Sequence, residues 1–131
     1  MSVDSRPTGP INVLVVEDEA MVRNLIHRIL QDQGFAIHEA VDGEAAVQLA
    51  DQWQGPLHLL ITDLLLPKIS GSDVAEHVHT RHSETKVLFL SGYSEDLIIA
   101  REILGPRSAF LQKPFGPTLL LGKVRSLLAA G

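Results

Sequence analysis

Cysteine is absent from the 131 residues. That excludes disulfides, thiolate metal ligands and a cysteine nucleophile, and it fits a reducing compartment. No apolar run approaches the roughly 20 residues that a membrane-spanning helix needs. The N-terminus lacks the apolar stretch of a secretion signal, so a cytoplasmic location without membrane contact is expected. Positive charge is in short supply: 11 Lys and Arg stand against 16 Asp and Glu, a net charge of -5. That balance argues against direct nucleic-acid binding. There is no internal repeat and no low-complexity tract. What is present, 45% hydrophobic and 21% charged residues, suits one globular domain with a proper core.

The pattern predicts a flexible lead-in over 1–10, carrying Pro7, Gly9 and Pro10, and one domain over 11–131. Within the domain, strand and helix patterns alternate. Short β-branched or apolar runs over 12–16, 35–40, 57–62, 86–90 and 109–111 read as strands. Between the first two, Val22, Leu25, Ile26, Ile29 and Leu30 recur at helical spacing. Similar stripes run through Ala46, Leu49, Ala50 and Trp53, and through Val74, Ala75 and Val78. Another helix is expected over 95–104, and a last one from Pro117, with Leu120, Val124 and Leu127 buried. Apolar strands alternating with amphipathic helices give an α/β fold, a doubly wound parallel sheet covered on both faces.

In such a sheet, ligands bind beyond the carboxyl ends of the strands. Glu17, Asp18 and Glu19 follow the first strand, and Asp63 ends the third. Ser91 and Gly92 follow the fourth strand, and Lys113 and Pro114 the fifth. Carboxylates gathered at one edge repel one another, and a hard divalent cation such as Mg2+ relieves that. Lys113 and Ser91 suit phosphoryl oxygens. The Asp63 carboxylate is then the natural nucleophile, forming an aspartyl phosphate. Taken singly, each residue has a plainer reading: helix-start acids, a polar strand end, a loop hydroxyl, an ordinary Lys-Pro turn.

Four segments in order resemble one family. They are Val15-Val16-Glu17-Asp18-Glu19, Asp63 through Gly71, Leu90-Ser91-Gly92-Tyr93 and Gln112-Lys113-Pro114-Phe115. Together they look like the receiver domain of two-component response regulators. The resemblance implies a five-stranded flavodoxin-like (βα)5 sheet, strand order 2-1-3-4-5. It implies a phosphorelay switch rather than a metabolic enzyme. A histidine kinase or histidine phosphotransfer protein supplies the phosphoryl group to Asp63, in the presence of Mg2+ or Mn2+. The metal site carries over to Asp18, Asp63, the Leu65 backbone carbonyl and, through water, Glu17. Ser91 and the aromatic at Phe110 carry over as switch residues, although phenylalanine lacks the hydroxyl that tyrosine has there. Leu65 and Tyr93 flank the phosphoryl site and are expected to slow attack by water. The peptide after Lys113 is expected to be cis. Segment 101–105, with 112–115, is similar to receivers of hybrid sensor histidine kinases, so both a single-domain regulator and a receiver cut from such a kinase stay open.

Two features stand outside this scheme. His77, His79 and His82 cluster, but only the pair at i and i+3 shares a helix face, so a solvated helix end is expected rather than a metal site. Leu119, Leu120, Leu121, Leu127 and Leu128 exceed what one helix buries against one sheet. With Ile98, Ile99 and the fifth strand they suggest a face for homodimerisation or partner binding. Two rival functions fit less well. A small-molecule phosphatase with an aspartate nucleophile commonly carries an acid where Leu65 stands. A flavodoxin-like cofactor binder needs a phosphate loop where Glu17, Asp18 and Glu19 would repel the phosphate.

Overall fold

A computed structural model describes residues 9–92 and 107–129. Five strands form one parallel sheet: β1 (Asn12–Val16), β2 (Ala36–Ala40), β3 (Leu59–Asp63), β4 (Lys86–Ser91) and β5 (Ser108–Gln112). Their spatial order is β2-β1-β3-β4-β5, as expected. Among the described residues there are four helices: α1 (Ala20–Gln31), α2 (Gly43–Gln52), α3 (Gly71–Arg81) and a C-terminal helix (Pro117–Ala129). Tyr93, the helix expected over 95–104 and segment 101–105 lie outside the described residues, as do positions 1–8.

The period of two in the strands sorts side chains onto two faces. Val13, Val15, Leu59, Ile61, Leu88 and Leu90 pack with Ile26, Ile29 and Leu30 of α1 and with Leu120, Val124 and Leu127 of the C-terminal helix. On the opposite face, Leu14, Val16, Leu60, Val87 and Phe89 meet Ala46 and Ala50 of α2 and Val74, Ala75 and Val78 of α3. Helix starts are capped by side chains: Asp42 accepts from the Ala45 N–H at 2.8 Å, and Ser70 accepts from the Asp73 N–H at 3.1 Å. Gly34, at φ +90, closes α1 in a conformation only glycine adopts easily.

Three details differ from the sequence pattern. Leu57 and His58 precede β3 rather than belonging to it, and Asp63 and Ser91 are the last residues of their strands. The clustered histidines are half-buried and bonded, not a solvated end. His77 pairs with Asp51 of α2 at 2.9 Å, His79 meets the Thr85 carbonyl at 2.9 Å, and His82 meets the Ala50 carbonyl at 3.0 Å. They fasten α3 to α2 and to the turn before β4. In the C-terminal helix, Leu119 is 59% exposed. Leu121 and Leu128 are half-buried against the first core, because that helix lies on α1 as well as on the sheet.

Candidate functional site

Parallel strands in register end along one line, so the residues at their carboxyl ends meet. Backbone hydrogen bonds lace the loops there. The Leu64 N–H donates to the Leu90 carbonyl, and the Lys113 N–H to the Ser91 carbonyl, each at 2.7 Å. The Glu17 N–H reaches the Ala40 carbonyl at 3.2 Å. A cavity of about 430 Å3 opens between these loops, lined by Asp18, Glu19, Asp63, Leu65, Ser91, Gly92 and Lys113. The Lys113-Pro114 peptide is cis, as expected.

Lys113 occupies the centre. Its ammonium donates to Asp63 Oδ2 at 2.7 Å and lies 2.5 Å from Glu17 Oε1. A third acid, Glu19, stands 3.5 Å away on the solvent side. Burial opposes the Lys113 charge, but the bonds to Asp63 and Glu17 outweigh it and hold its pKa above the usual lysine range. Glu17 is fully buried. Burial pushes its carboxyl up to about 7, and the Asp63 charge adds to that, while Lys113 pulls the other way.

Glu17, Asp18 and Asp63 each present a carboxylate oxygen within 4.8 Å of the other two. These acids outnumber the single ammonium among them, an excess of negative charge that a divalent cation offsets. Glu17 Oε1 is buried, and the Lys113 ammonium is its close partner. Hard carboxylate oxygens clustered this closely fit a hard divalent cation. Asp63 Oδ1 accepts from the Leu65 N–H at 3.1 Å, which fixes the plane of that carboxylate. The Leu65 side chain is 52% exposed at the rim. Ser91 is buried and lines the same cavity. Phe110 sits beside Phe89 in the β4–β5 pairing and is half-buried against the second core.

The model family "response regulator receiver domain" matches residues 13–125. The chain belongs to the receiver domain family. This receiver is 31% identical over 121 residues to the sensor kinase CckA of Brucella abortus, covering 92% of this chain but 13% of that protein. It is 29% identical over 116 residues to the transcriptional regulatory protein SrrA of Staphylococcus aureus, covering 88% of this chain and 47% of that one. The chain therefore spans less than half the length of these curated relatives. Among solved structures, the receiver domain of the hybrid histidine kinase CckA superposes with a TM-score of 0.76 at 32% identity, covering 89% of this chain and 98% of that one. The chemotaxis protein CheY4 of Vibrio cholerae gives 0.79 at 25% identity, covering 92% and 100%. Receiver domains are signalling modules of two-component systems and pair with histidine kinases or phosphotransfer proteins.

The structure brings Glu17, Asp18, Asp63, Leu65, Ser91 and Lys113 together; Tyr93 falls outside the described residues. Three further residues act on this receiver site. Glu19 reaches Lys113. Gly71 abuts Asp63: a Cβ there would lie 2.0 Å from the Asp63 carbonyl oxygen. Arg23 donates to the Glu17 carbonyl at 2.7 Å. The sequence signal for Gly71 was its place at the end of the Asp63 segment. Glu19 stood among the acids that follow the first strand, whereas Arg23 gave no signal, being a charged residue at a helix start.

Proposed function

We propose that this receiver takes a phosphoryl group from a partner's phosphohistidine onto Asp63, in a Mg2+-dependent reaction, and so switches a binding face. An Asp63 oxygen attacks phosphorus, the P–N bond breaks, and the imidazole leaves and takes a proton from solvent. The product is an aspartyl phosphate. Glu17, Asp18, Asp63 and the Leu65 carbonyl would hold the Mg2+, Glu17 through water. When bound, the cation neutralises charge on the phosphoryl oxygens. Lys113 passes from the Asp63 carboxylate to a phosphoryl oxygen, and Ser91 donates a hydrogen bond to another. Loss of the Lys113–Asp63 bond and recruitment of Ser91 change the end of β4, and Phe110 beside it relays the change. The responding face comprises the segment over 95–104, β5 and the C-terminal helix, with Leu119 exposed for a partner or a second copy. The same site returns the phosphoryl group to water slowly, because Leu65 and Tyr93 limit access. The receiver module runs over 11–131, and it works in the cytoplasm.

The observation that carries this reading is the Lys113 ammonium held between Asp63 and Glu17 at the ends of three strands. A second feature favours a protein donor. A cavity of about 400 Å3 lined by Val22, Leu25, Pro114 and Phe115 shares Glu19, Gly92 and Lys113 with the acidic cavity. Met21, next to Val22 in α1, is 86% exposed. A phosphohistidine on an apolar helical surface suits that mouth. Incubation with a small phosphodonor and Mg2+ tests the chemistry. The wild type should gain one acid-stable, base-labile phosphate, and equal labelling of Asp63→Asn would refute the assignment.

A further inference from the structure

Arg23 is the fourth residue of α1, within the first turn. A cation there opposes the helix dipole, whose positive end lies at the N-terminus. The position is therefore unfavourable unless the side chain serves another purpose. It turns back along the chain, and its Nη1 donates to the Glu17 carbonyl at 2.7 Å. Its Nε lies 3.9 Å from Glu39 Oε2 on β2, and the same carboxylate oxygen takes His27 Nδ1 at 3.2 Å. The Arg23 side chain is 16% exposed, so the contact is sheltered from solvent screening.

The consequence lies in the Glu17 peptide. Its N–H is tied to β2 through the Ala40 carbonyl. Its carbonyl is tied to α1 through Arg23. The N–H lies in the Val16–Glu17 peptide and the carbonyl in the Glu17–Asp18 peptide, so the two bonds together fix the backbone on both sides of the Glu17 α-carbon, and Arg23 alone orients the peptide that joins Glu17 to Asp18. Glu39 balances the Arg23 charge, so the tie adds little positive potential to a cation site. Groups that hydrogen-bond a metal's ligating side chains typically govern affinity by 10- to 100-fold. Arg23 acts one step further out, on the backbone between two such residues, so its effect falls at the low end of that range.

We infer that Arg23, backed by Glu39, is a positioning residue that sets divalent-cation affinity by fixing the Glu17–Asp18 peptide. The inference rests on reading Glu17, Asp18 and Asp63 as a cation site. The test is Mn2+ binding to the full chain, read from the electron paramagnetic resonance signal of the free ion. Thermal melting without metal and Mg2+-dependent labelling run beside it. Arg23→Met keeps the aliphatic stem and should weaken Mn2+ binding about tenfold. Arg23→Lys keeps the charge but cannot span both partners, and should weaken it at least threefold. Glu39→Gln should weaken it less than Arg23→Met does. A melting shift in Arg23→Met with Mn2+ affinity within twofold of wild type overturns the inference, since a purely structural role predicts that pair of results. If Arg23→Met does not fold, Arg23→Lys at wild-type affinity overturns it equally. A wild type that binds no Mn2+ instead overturns the cation site itself, and so separates the two failures.

Discussion

The α-carbon of Gly71 faces the Asp63 carbonyl so closely that a methyl group on it would stand 2.0 Å from that oxygen. The same carbonyl accepts the Thr62 hydroxyl at 3.0 Å, and the Gly71 N–H reaches the Leu64 carbonyl at 2.9 Å. Space, rather than backbone angle, requires glycine here. Gly71→Ala should cost about 1–3 kcal/mol by chemical denaturation, as overpacking generally does. It should also slow phosphoryl acceptance beyond what that stability loss explains, because the strand end carrying Asp63 must shift. Labelling rates measured well below the denaturation midpoint check this. A variant labelling at the wild-type rate would show that the strand end tolerates the shift.

The buried Glu17 carboxyl predicts how stability varies with pH. Its pKa is about 7 in the folded chain against an ordinary 4.5. The folded form holds the proton more tightly, so ionisation works against folding. The stabilising excess is present below about 4.5, declines as pH rises, and is gone above about 7. The effect is at most about 3 kcal/mol. Urea denaturation of wild type and Glu17→Gln, without divalent cation, should give stability curves that converge toward low pH and separate toward neutrality. Added Mg2+ should narrow the gap at neutral pH. Parallel curves would remove Glu17 as the source.

Rim residues predict phosphoryl lifetime. Leu65 covers the cavity beside Asp63 without touching the chemistry through its side chain. Leu65→Asn offers a polar group that can orient water, and should shorten the aspartyl phosphate half-life severalfold; Tyr93→Ala should do likewise by opening access. Pulse-labelling and decay measurements decide it. An unchanged half-life in both variants would count against water exclusion at these positions.

The histidine cluster predicts a stability effect with no effect on labelling. His79 and His82 each bond a backbone carbonyl, at Thr85 and at Ala50. Replacing either with alanine removes one hydrogen bond, at about 1 kcal/mol, although the Ala50 carbonyl keeps the Trp53 N–H at 3.4 Å. Melting temperature should fall while Mg2+-dependent labelling stays at the wild-type level. A loss of labelling without a loss of stability would point to a functional role instead.

Much of the site was readable from the chain because parallel strands put chemistry at predictable places. Asp63, Ser91 and Lys113 declare themselves by ending or following apolar runs. Sheet order followed from motif resemblance rather than from periodicity, which leaves several topologies open. What stayed hidden depends on contacts between elements. Arg23 reads as a surface charge until its carbonyl partner six residues back is seen. The histidines looked solvated because spacing along α3 says nothing of Asp51 or Ala50 on α2. Leu121 and Leu128 seemed surplus because one helix was weighed against the sheet alone, without α1 alongside.

The loop from Leu64 to Ser70 is closed at both ends, by the Gly71–Leu64 hydrogen bond and by the missing side chain at Gly71. It behaves as a buckle of fixed length. Grafting or engineering that lengthens the chain elsewhere, such as the exposed turn at Gly55, leaves the buckle fastened. Adding or removing one residue inside it cannot, because no slack exists to absorb the change. The reading frame between Asp63 and Gly71 is thus the part of this scaffold least open to redesign.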